Sequence, residues 1–251
     1  MHGVVVGVAN KRSISWAIAQ AAGAAGARLV LTYQTDRLAD NVRELAATLD
    51  NAVVVPCDVA SDQQIGELAG TVEREFGSLD FLVHGAAFAP QAELSNRFVQ
   101  TSRDGFRIAL DVSAYSLIAL TRALVPLMTR PNGGSVLTLT YLGSRRVFTN
   151  YNVMGVAKAA LEASVRYLAS DLGPQNVRVN AISAGPIKTL AAAGISGFSN
   201  ILQVYRDRAP LRRSVELAEV ADAAMFLLGP RSRAITGEVL MVDAGYHAMG
   251  I

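Results

Sequence analysis

VVVGVANKRSISWAIAQAAGAAGARLVLTY, residues 4–33, is the stretch on which the fold turns. Val4–Val6 is a β-branched run suited to a strand. A loop from Gly7 to Arg12 follows, and Ser13–Gly26 reads as a helix. Arg28–Tyr33 is a second strand-like run. Strand, long helix and strand in succession make a βαβ unit, with parallel strands and a right-handed crossover.

The alternation continues along the chain. Helices are expected over Asp36–Leu49, over Asp62–Phe76 with Gly77 closing it, over residues 104–130 with Pro126 bending or ending the helix, and over Tyr151–Leu172, stopped by Gly173-Pro174. Strands are expected at Ala52–Pro56, Leu79–His84, Ser135–Tyr141, Val177–Ile182 and Val239–Val242. This predicts an α/β fold: a single-domain Rossmann-type doubly wound parallel sheet of about seven strands, with helices on both faces. No linker or repeat divides residues 1–251.

Composition narrows the function. The chain is 51% hydrophobic and 18% charged, with a net charge of +2, too small to imply nucleic acid. The single Cys57 excludes an internal disulfide, and His2, His84 and His247 lack metal-ligand spacing, so no metal is expected. No stretch reads as a membrane span or signal peptide, and the expected location is the cytoplasm.

In doubly wound sheets ligands bind beyond the carboxyl ends of the strands. Gly7 to Ile14 follows a strand and opens a helix, where a pyrophosphate can meet backbone N–H groups, though without GxGxxG spacing. Ser13 is suited to cap that helix and to donate to a phosphate. Gln34, at the tip of the second strand, can hydrogen-bond a ribose hydroxyl but cannot neutralise a phosphate. It favours NADH over NADPH, although Lys11, Arg12 or Arg37 could serve the latter. Asp58 and Val59 can meet an adenine, or Asp58 can simply cap a helix. Gly85-Ala86-Ala87 allows close approach to backbone. Ser183 to Thr189 offers backbone groups and a hydroxyl to a carboxamide or phosphate.

One further stretch, YLGSRRVFTNYNVMGVAK (141–158), carries two tyrosines and a lysine. Tyr151 and Lys158 stand two helical turns apart and would share a face. A phenol beside an ammonium can stabilise or protonate an oxyanion.

With these segments in place the chain resembles the short-chain dehydrogenases/reductases, and more closely the bacterial enoyl-acyl-carrier-protein reductases of type II fatty-acid synthesis. GVANKRSISWAIAQ (7–20), LTYQTDRL (31–38), CDVA (57–60), FLVHGAAFAP (81–90), residues 140–169, VRVNAISAGPIKTLAAAGI (177–195) and TGEVLMVDAGY (236–246) carry the resemblance. The usual dehydrogenase pattern is Tyr-x3-Lys with a Ser thirteen residues before the Tyr. Here Met154 stands in that Tyr position and Tyr141 in that Ser position, while Tyr151 gives the Tyr-x6-Lys of enoyl reductases.

The resemblance implies NADH-dependent reduction of the trans-2 double bond of enoyl thioesters. It implies that Tyr151 hydrogen-bonds the enolate-like oxygen, that Lys158 binds the nicotinamide ribose, and that Tyr141 lines the pocket and assists proton delivery. Gly7, Ser13 and Ile14 would touch the pyrophosphate, Gln34 the adenosine ribose, Asp58 and Val59 the adenine. Ala86 would lie by the adenosine, and Ile187, Lys188, Thr189, Leu190 and Ala191 around the nicotinamide and phosphates. Ala89, Met154 and Phe198 would border the acyl chain with Tyr141 and Tyr151. A substrate lid is implied at about 189–210, as are a homotetramer and an acyl-carrier-protein partner. That partner would be met by Lys188, Arg206, Arg208, Arg212 and Arg213, or by Arg145 and Arg146. Two rival readings are a carbonyl reductase of the same superfamily and a non-catalytic dinucleotide-binding regulator.

Overall fold

The computed structural model describes residues 1–128, 133–189 and 197–250. Seven strands form one sheet: β1 (His2–Val6), β2 (Arg28–Tyr33), β3 (Val53–Pro56), β4 (Phe81–His84), β5 (Gly134–Thr140), β6 (Val177–Ala184) and β7 (Val239–Val242). Their order is β3-β2-β1-β4-β5-β6-β7, and every pairing is parallel. The expected doubly wound sheet is therefore present. The order of strand addition switches between β1 and β4, where Val6 lies beside His84.

The inner strands are buried on both faces, so their side chains alternate between two cores, while the edge strands β3 and β7 are only partly buried. Val4 and Val6 point to one, with Leu82, Val136 and Val179. There they meet Leu68 and Val72 of α3 (Asp62–Phe76), Leu117 and Leu120 of α6 (Ser116–Leu124), and Leu161 and Val165 of α7 (Val153–Leu172). Val5 points to the other core, with Leu31, Val83, Leu137 and Ile182. That core is covered by Ile18 and Ala22 of α1 (Ile14–Ala24), Val42 of α2 (Asp36–Ala46), and Val220 and Ala224 of α9 (Leu217–Leu228).

Several expectations need correction. The long helix runs from Arg103 to Leu127 but is not uniform. It comprises α5 (Arg103–Leu110), a π-helical turn at Asp111–Tyr115, α6, and a 3₁₀ end at Val125–Leu127 containing Pro126. Its 25 residues, with a mean hydropathy of 1.6 over an 18-residue stretch, do satisfy the length and composition of a membrane span, contrary to expectation. The reason is core duty: more than half of its apolar stretch is buried. No helix was expected between Ile182 and Val239, yet the described residues there include α8 (Phe198–Arg208), within the expected lid, and α9 beyond it; a short α4 (Gln91–Ser95) follows β4. α3 matches its expected bounds because Ser61 caps it, accepting from Gln64 N, and Gly77 ends it at φ 63°.

Candidate active site

The switch between β1 and β4 leaves a crevice floored by backbone. Gly7 adopts φ 91°, and a Cβ there would lie 2.5 Å from the Gly85 carbonyl oxygen. A Cβ on Gly85 would lie 2.0 Å from Ser15 Oγ. Val6 O accepts from both Gly85 N and Ser15 Oγ, each at 3.0 Å, so the two strand ends are tied together. Only glycine fits either position, because a Cβ there would run into the other strand end or Ser15. This is a cradle that fits a pyrophosphate at the start of α1. Gly7→Ala is expected to destabilise the fold by about 2–4 kcal/mol through strained backbone and overlap, and to weaken cofactor binding. Urea unfolding and cofactor titration of that variant check it; an unchanged midpoint and affinity would show slack in the floor.

Ser13 departs from its expected role. It occupies the N-cap position of α1 but makes no capping bond. Its Oγ instead accepts from Ala9 N and Asn10 N, both at 3.1 Å, and so shapes the loop itself. Two accepted bonds leave its own proton to give. Asp58 is likewise not a helix cap: its Oδ1 accepts from Ala60 N at 3.1 Å, and Gln64 Oε1 accepts from Asp58 N. Val59 is buried beside it. Gln34 is exposed at the tip of β2. Ala86 and Ile187 are half-buried after β4 and β6, Lys188 is exposed, and Thr189 is partly buried. Leu190 and Ala191 lie outside the described residues.

The chemistry gathers at the end of β5. Tyr141 and Tyr151 meet edge to face, with ring centroids 5.1 Å apart, and Phe148 stands 4.9 Å from Tyr141. Leu94, Tyr151 and Met154 form a small apolar cluster, with Ala89, Tyr141 and Phe148 against it. This brings together four of the five expected acyl-chain residues; Phe198, half-buried at the start of α8, is not among them. Met154 sits where the usual dehydrogenase acid would stand, 7% exposed, with Ser113 Oγ 3.8 Å from its sulfur. It has no proton to give.

Tyr151 is not on the helix. α7 begins at Val153, and Asn152 before it has φ 37° and ψ −117°. The simple two-turn relation to Lys158 is thus replaced by a kinked entry. Asn152 Nδ2 donates to Leu94 O (3.0 Å) and Asn96 O (2.7 Å), fixing α4 against the head of α7. That geometry holds a backbone conformation unfavourable for any residue but glycine.

Burial pushes the Tyr151 phenol well above its usual range, helped by Tyr141 and then Glu162, so it stays a neutral donor. Lys158 is 6% exposed and donates from Nζ to Leu139 O at 2.8 Å. Burial lowers its pKa to about 8, while Glu162 acts in the opposite direction. His84 is held neutral, pushed down to about 3 chiefly by burial. Its Nδ1 lies 2.7 Å from Thr138 Oγ1 and its Nε2 2.8 Å from Ser116 Oγ, so both ring nitrogens of the neutral imidazole are hydrogen-bonded.

Two participants escaped the sequence reading. Glu162, 5% exposed, accepts from Thr140 Oγ1, Ser144 Oγ and Arg145 Nε. Its i,i+4 spacing from Lys158 was the available signal. Tyr205 of α8 stacks on Tyr246 at 3.8 Å. The hydroxyls of Tyr141 and Tyr205 are both buried without a well-formed hydrogen bond. No local pattern marks Tyr205, which looks like any aromatic on a helix's buried face.

A crevice built of bare backbone at the switch point, beside a buried phenol and ammonium, defines a short-chain dehydrogenase/reductase. The comparisons with known proteins are narrower. Residues 7–247 match the family described as enoyl-(acyl carrier protein) reductase. The enoyl-acyl-carrier-protein reductase (NADH) FabI of Bacillus cereus is 52% identical over 249 residues, 98% of this chain and 96% of the relative. A crystal structure of the Bacillus cereus enoyl-acyl carrier protein reductase, with NADP+ and an indole naphthyridinone, superposes with a TM-score of 0.97 at 52% identity, covering 100% of this chain and 97% of that one. The reductase of Anaplasma phagocytophilum, in complex with NAD, gives 0.95 at 48% identity over 100% and 95% of the two chains. The chain belongs to the enoyl-acyl-carrier-protein reductase family.

Proposed function

We propose that the chain reduces the trans-2 double bond of enoyl-acyl-carrier-protein thioesters with NADH, the last reductive step of fatty-acid elongation. The observation that carries this reading is Met154 in the position of the usual acid, with the phenol displaced to Tyr151. In carbonyl reduction the acid must stand next to the carbinol oxygen. In enoyl reduction the hydride goes to the β-carbon and charge develops on the thioester oxygen, several bonds away. A donor set farther from the reacting carbon suits the second geometry.

Bound NADH supplies the hydride. Gly7, Ser13 and Ile14 are the residues suited to its pyrophosphate, Gln34 to its adenosine ribose, Asp58 and Val59 to its adenine, Ala86 to the adenosine side, and Ile187, Lys188 and Thr189 to its other end. Lys158 would hold the nicotinamide ribose and keep positive charge close by. Tyr151, neutral and buried, would donate to the developing enolate oxygen without reorganisation, which is where preorganised donors act most strongly. Tyr141 would line the pocket and assist delivery of the proton that completes the α-carbon.

The chain acts as one domain, residues 1–251, with α8 as the described part of a lid at about 189–210. The exposed Arg206 and Arg208 are suited to an acidic carrier protein. Arg146 is less so, since it donates to His247 O and Met249 O, and Arg213 is paired with Glu219. Exposed Phe106, Tyr115 and Tyr167 along α5 to α7 support assembly into a homotetramer. The reaction suits the expected cytoplasmic location.

Oxidation of NADH and NADPH, each with a crotonyl and an acetoacetyl thioester, tests the reading. Turnover is expected with the crotonyl ester and NADH, and little with the acetoacetyl ester. Preference for the acetoacetyl ester would establish a carbonyl reductase; tight NADH binding without turnover would establish a regulator.

A further inference from the structure

Two carboxylates are buried among the described residues, Asp243 and Glu162, at 3% and 5% exposed. Asp243 is occupied by its own C-terminal turn, accepting from Gly245 N, His247 N and His247 Nδ1. Glu162 faces the active site. Its Oε1 accepts from Thr140 Oγ1 at 2.9 Å and Ser144 Oγ at 2.6 Å, and its Oε2 from Arg145 Nε at 3.3 Å. Three donors converge on it, the set a buried carboxylate needs.

We propose that Glu162 is a positioning residue for the reduction: it fixes the turn that backs Tyr151 and sustains the positive charge on Lys158 that the cofactor ribose requires. The inference rests on the reading of Lys158 as a cofactor-binding residue.

The turn is Leu142–Ser144. It is wedged between the ring of Tyr151 and the first turn of α7. A Cβ on Gly143 would lie 2.5 Å from the Tyr151 ring, and one on Gly155 would lie 2.8 Å from Gly143 O. Contact alone leaves such a turn free to slide. The polar tie is Ser144 to Glu162. Adjacent residues of β5 then hold the two charged groups: the Leu139 carbonyl holds Lys158, and the Thr140 hydroxyl holds Glu162.

The charge argument follows from what surrounds Lys158. His84 on β4 is neutral, and Tyr141 and Tyr151 are neutral phenols. Glu162, one turn along α7, is the group that opposes the burial of the ammonium. Arg145, half exposed, sits on the far oxygen of Glu162 and partly offsets it.

The test is the pH dependence of NADH affinity, measured by fluorescence titration from pH 6 to 10, with turnover of a crotonyl thioester followed in parallel. Wild type is expected to lose affinity through an alkaline limb near 8 as Lys158 gives up its proton. Glu162→Gln removes the charge with little change of shape and should move the limb down by about one pH unit. Arg145→Gln leaves Glu162 uncompensated and should move it up, by about half a unit. Glu162→Asp keeps the charge and should leave the limb near that of wild type while turnover falls. A merely structural Glu162 would lower affinity alike at every pH and shift no limb.

Limbs that coincide in all proteins, or that move in the same direction in the two neutralising variants, overturn the proposal. Should Glu162→Gln fail to fold, the sign of the Arg145→Gln shift decides alone. Wild-type protein that binds NADH with this limb but turns over no enoyl thioester refutes the proposed reaction and leaves only the effect of Glu162 on Lys158 and NADH binding standing.

Discussion

Lys158→Met is expected to remove most NADH binding and yet to make the protein harder to unfold. The two effects have one cause. Among the described residues the buried ammonium has one hydrogen bond, to the Leu139 carbonyl, and its pKa of about 8 lies well below the ordinary 10.5. A lowered folded pKa means that the fold disfavours the charged form. The cost is present in full below about 8 and is relieved as pH climbs from there to about 10.5, the unfolded value. Met fills similar volume without charge, so at pH 7 the variant should gain about 1–2 kcal/mol, less than the shift alone implies because the bond to Leu139 is lost. The advantage should shrink above pH 8. Binding moves the other way: losing a buried charged contact to a ligand costs about 2–4 kcal/mol, or roughly 30- to 1,000-fold in affinity. Urea unfolding at pH 7 and 9.5, with cofactor titration, tests both. Retained affinity would remove Lys158 from the cofactor site, and lower stability at pH 7 would mean that the buried charge is better satisfied than its one bond suggests.

Tyr151→Phe should lower kcat by roughly 100- to 1,000-fold while leaving the KM for NADH within about threefold, as for removal of one preorganised oxyanion donor. The ring, its edge contact with Tyr141 and its packing on Met154 all survive the change. What is lost is one hydroxyl. Because burial holds that phenol neutral far into alkaline pH, Tyr151 should contribute no limb to the pH profile. The alkaline limb near 8 belongs to Lys158 and should persist in Tyr151→Phe. Steady-state kinetics between pH 6 and 10 test this, and a variant with near-normal kcat would mean another group meets the thioester oxygen.

Much of this was legible in the chain. β2 and β7 match their expected bounds, and α3 does so because its cap and terminating glycine are local chemistry. Tyr151 and Lys158 stand out by their spacing and Met154 through the family resemblance, but the shared helix face expected for Tyr151 and Lys158 is lost because α7 begins only at Val153. What failed depends on tertiary context. The π turn at Asp111–Tyr115 has no local signature, since nothing in DVSAY excludes an ordinary helix. Asn152 falls inside the expected helix, yet it takes φ 37° and ψ −117° and its side chain serves α4. Tyr205 and Tyr246 come from segments 41 residues apart in sequence, and only the folded chain stacks them. Ser13 was assigned the right position with the wrong bond, because its loop amides compete better for the hydroxyl than the helix does.

The order of the strands also sets a timetable for synthesis. β1, β2 and β3 pair with near neighbours in sequence and can assemble as they leave the ribosome. β1 must then wait with one edge open until β4 is made, since His2 and Asp80, bonded to each other, stand 78 residues apart. Gly7 meets Gly85 only then. A nascent chain stalled before Gly85 should therefore be unable to hold the dinucleotide, and the open edge of β1 is the surface on which misassembly or a chaperone would act.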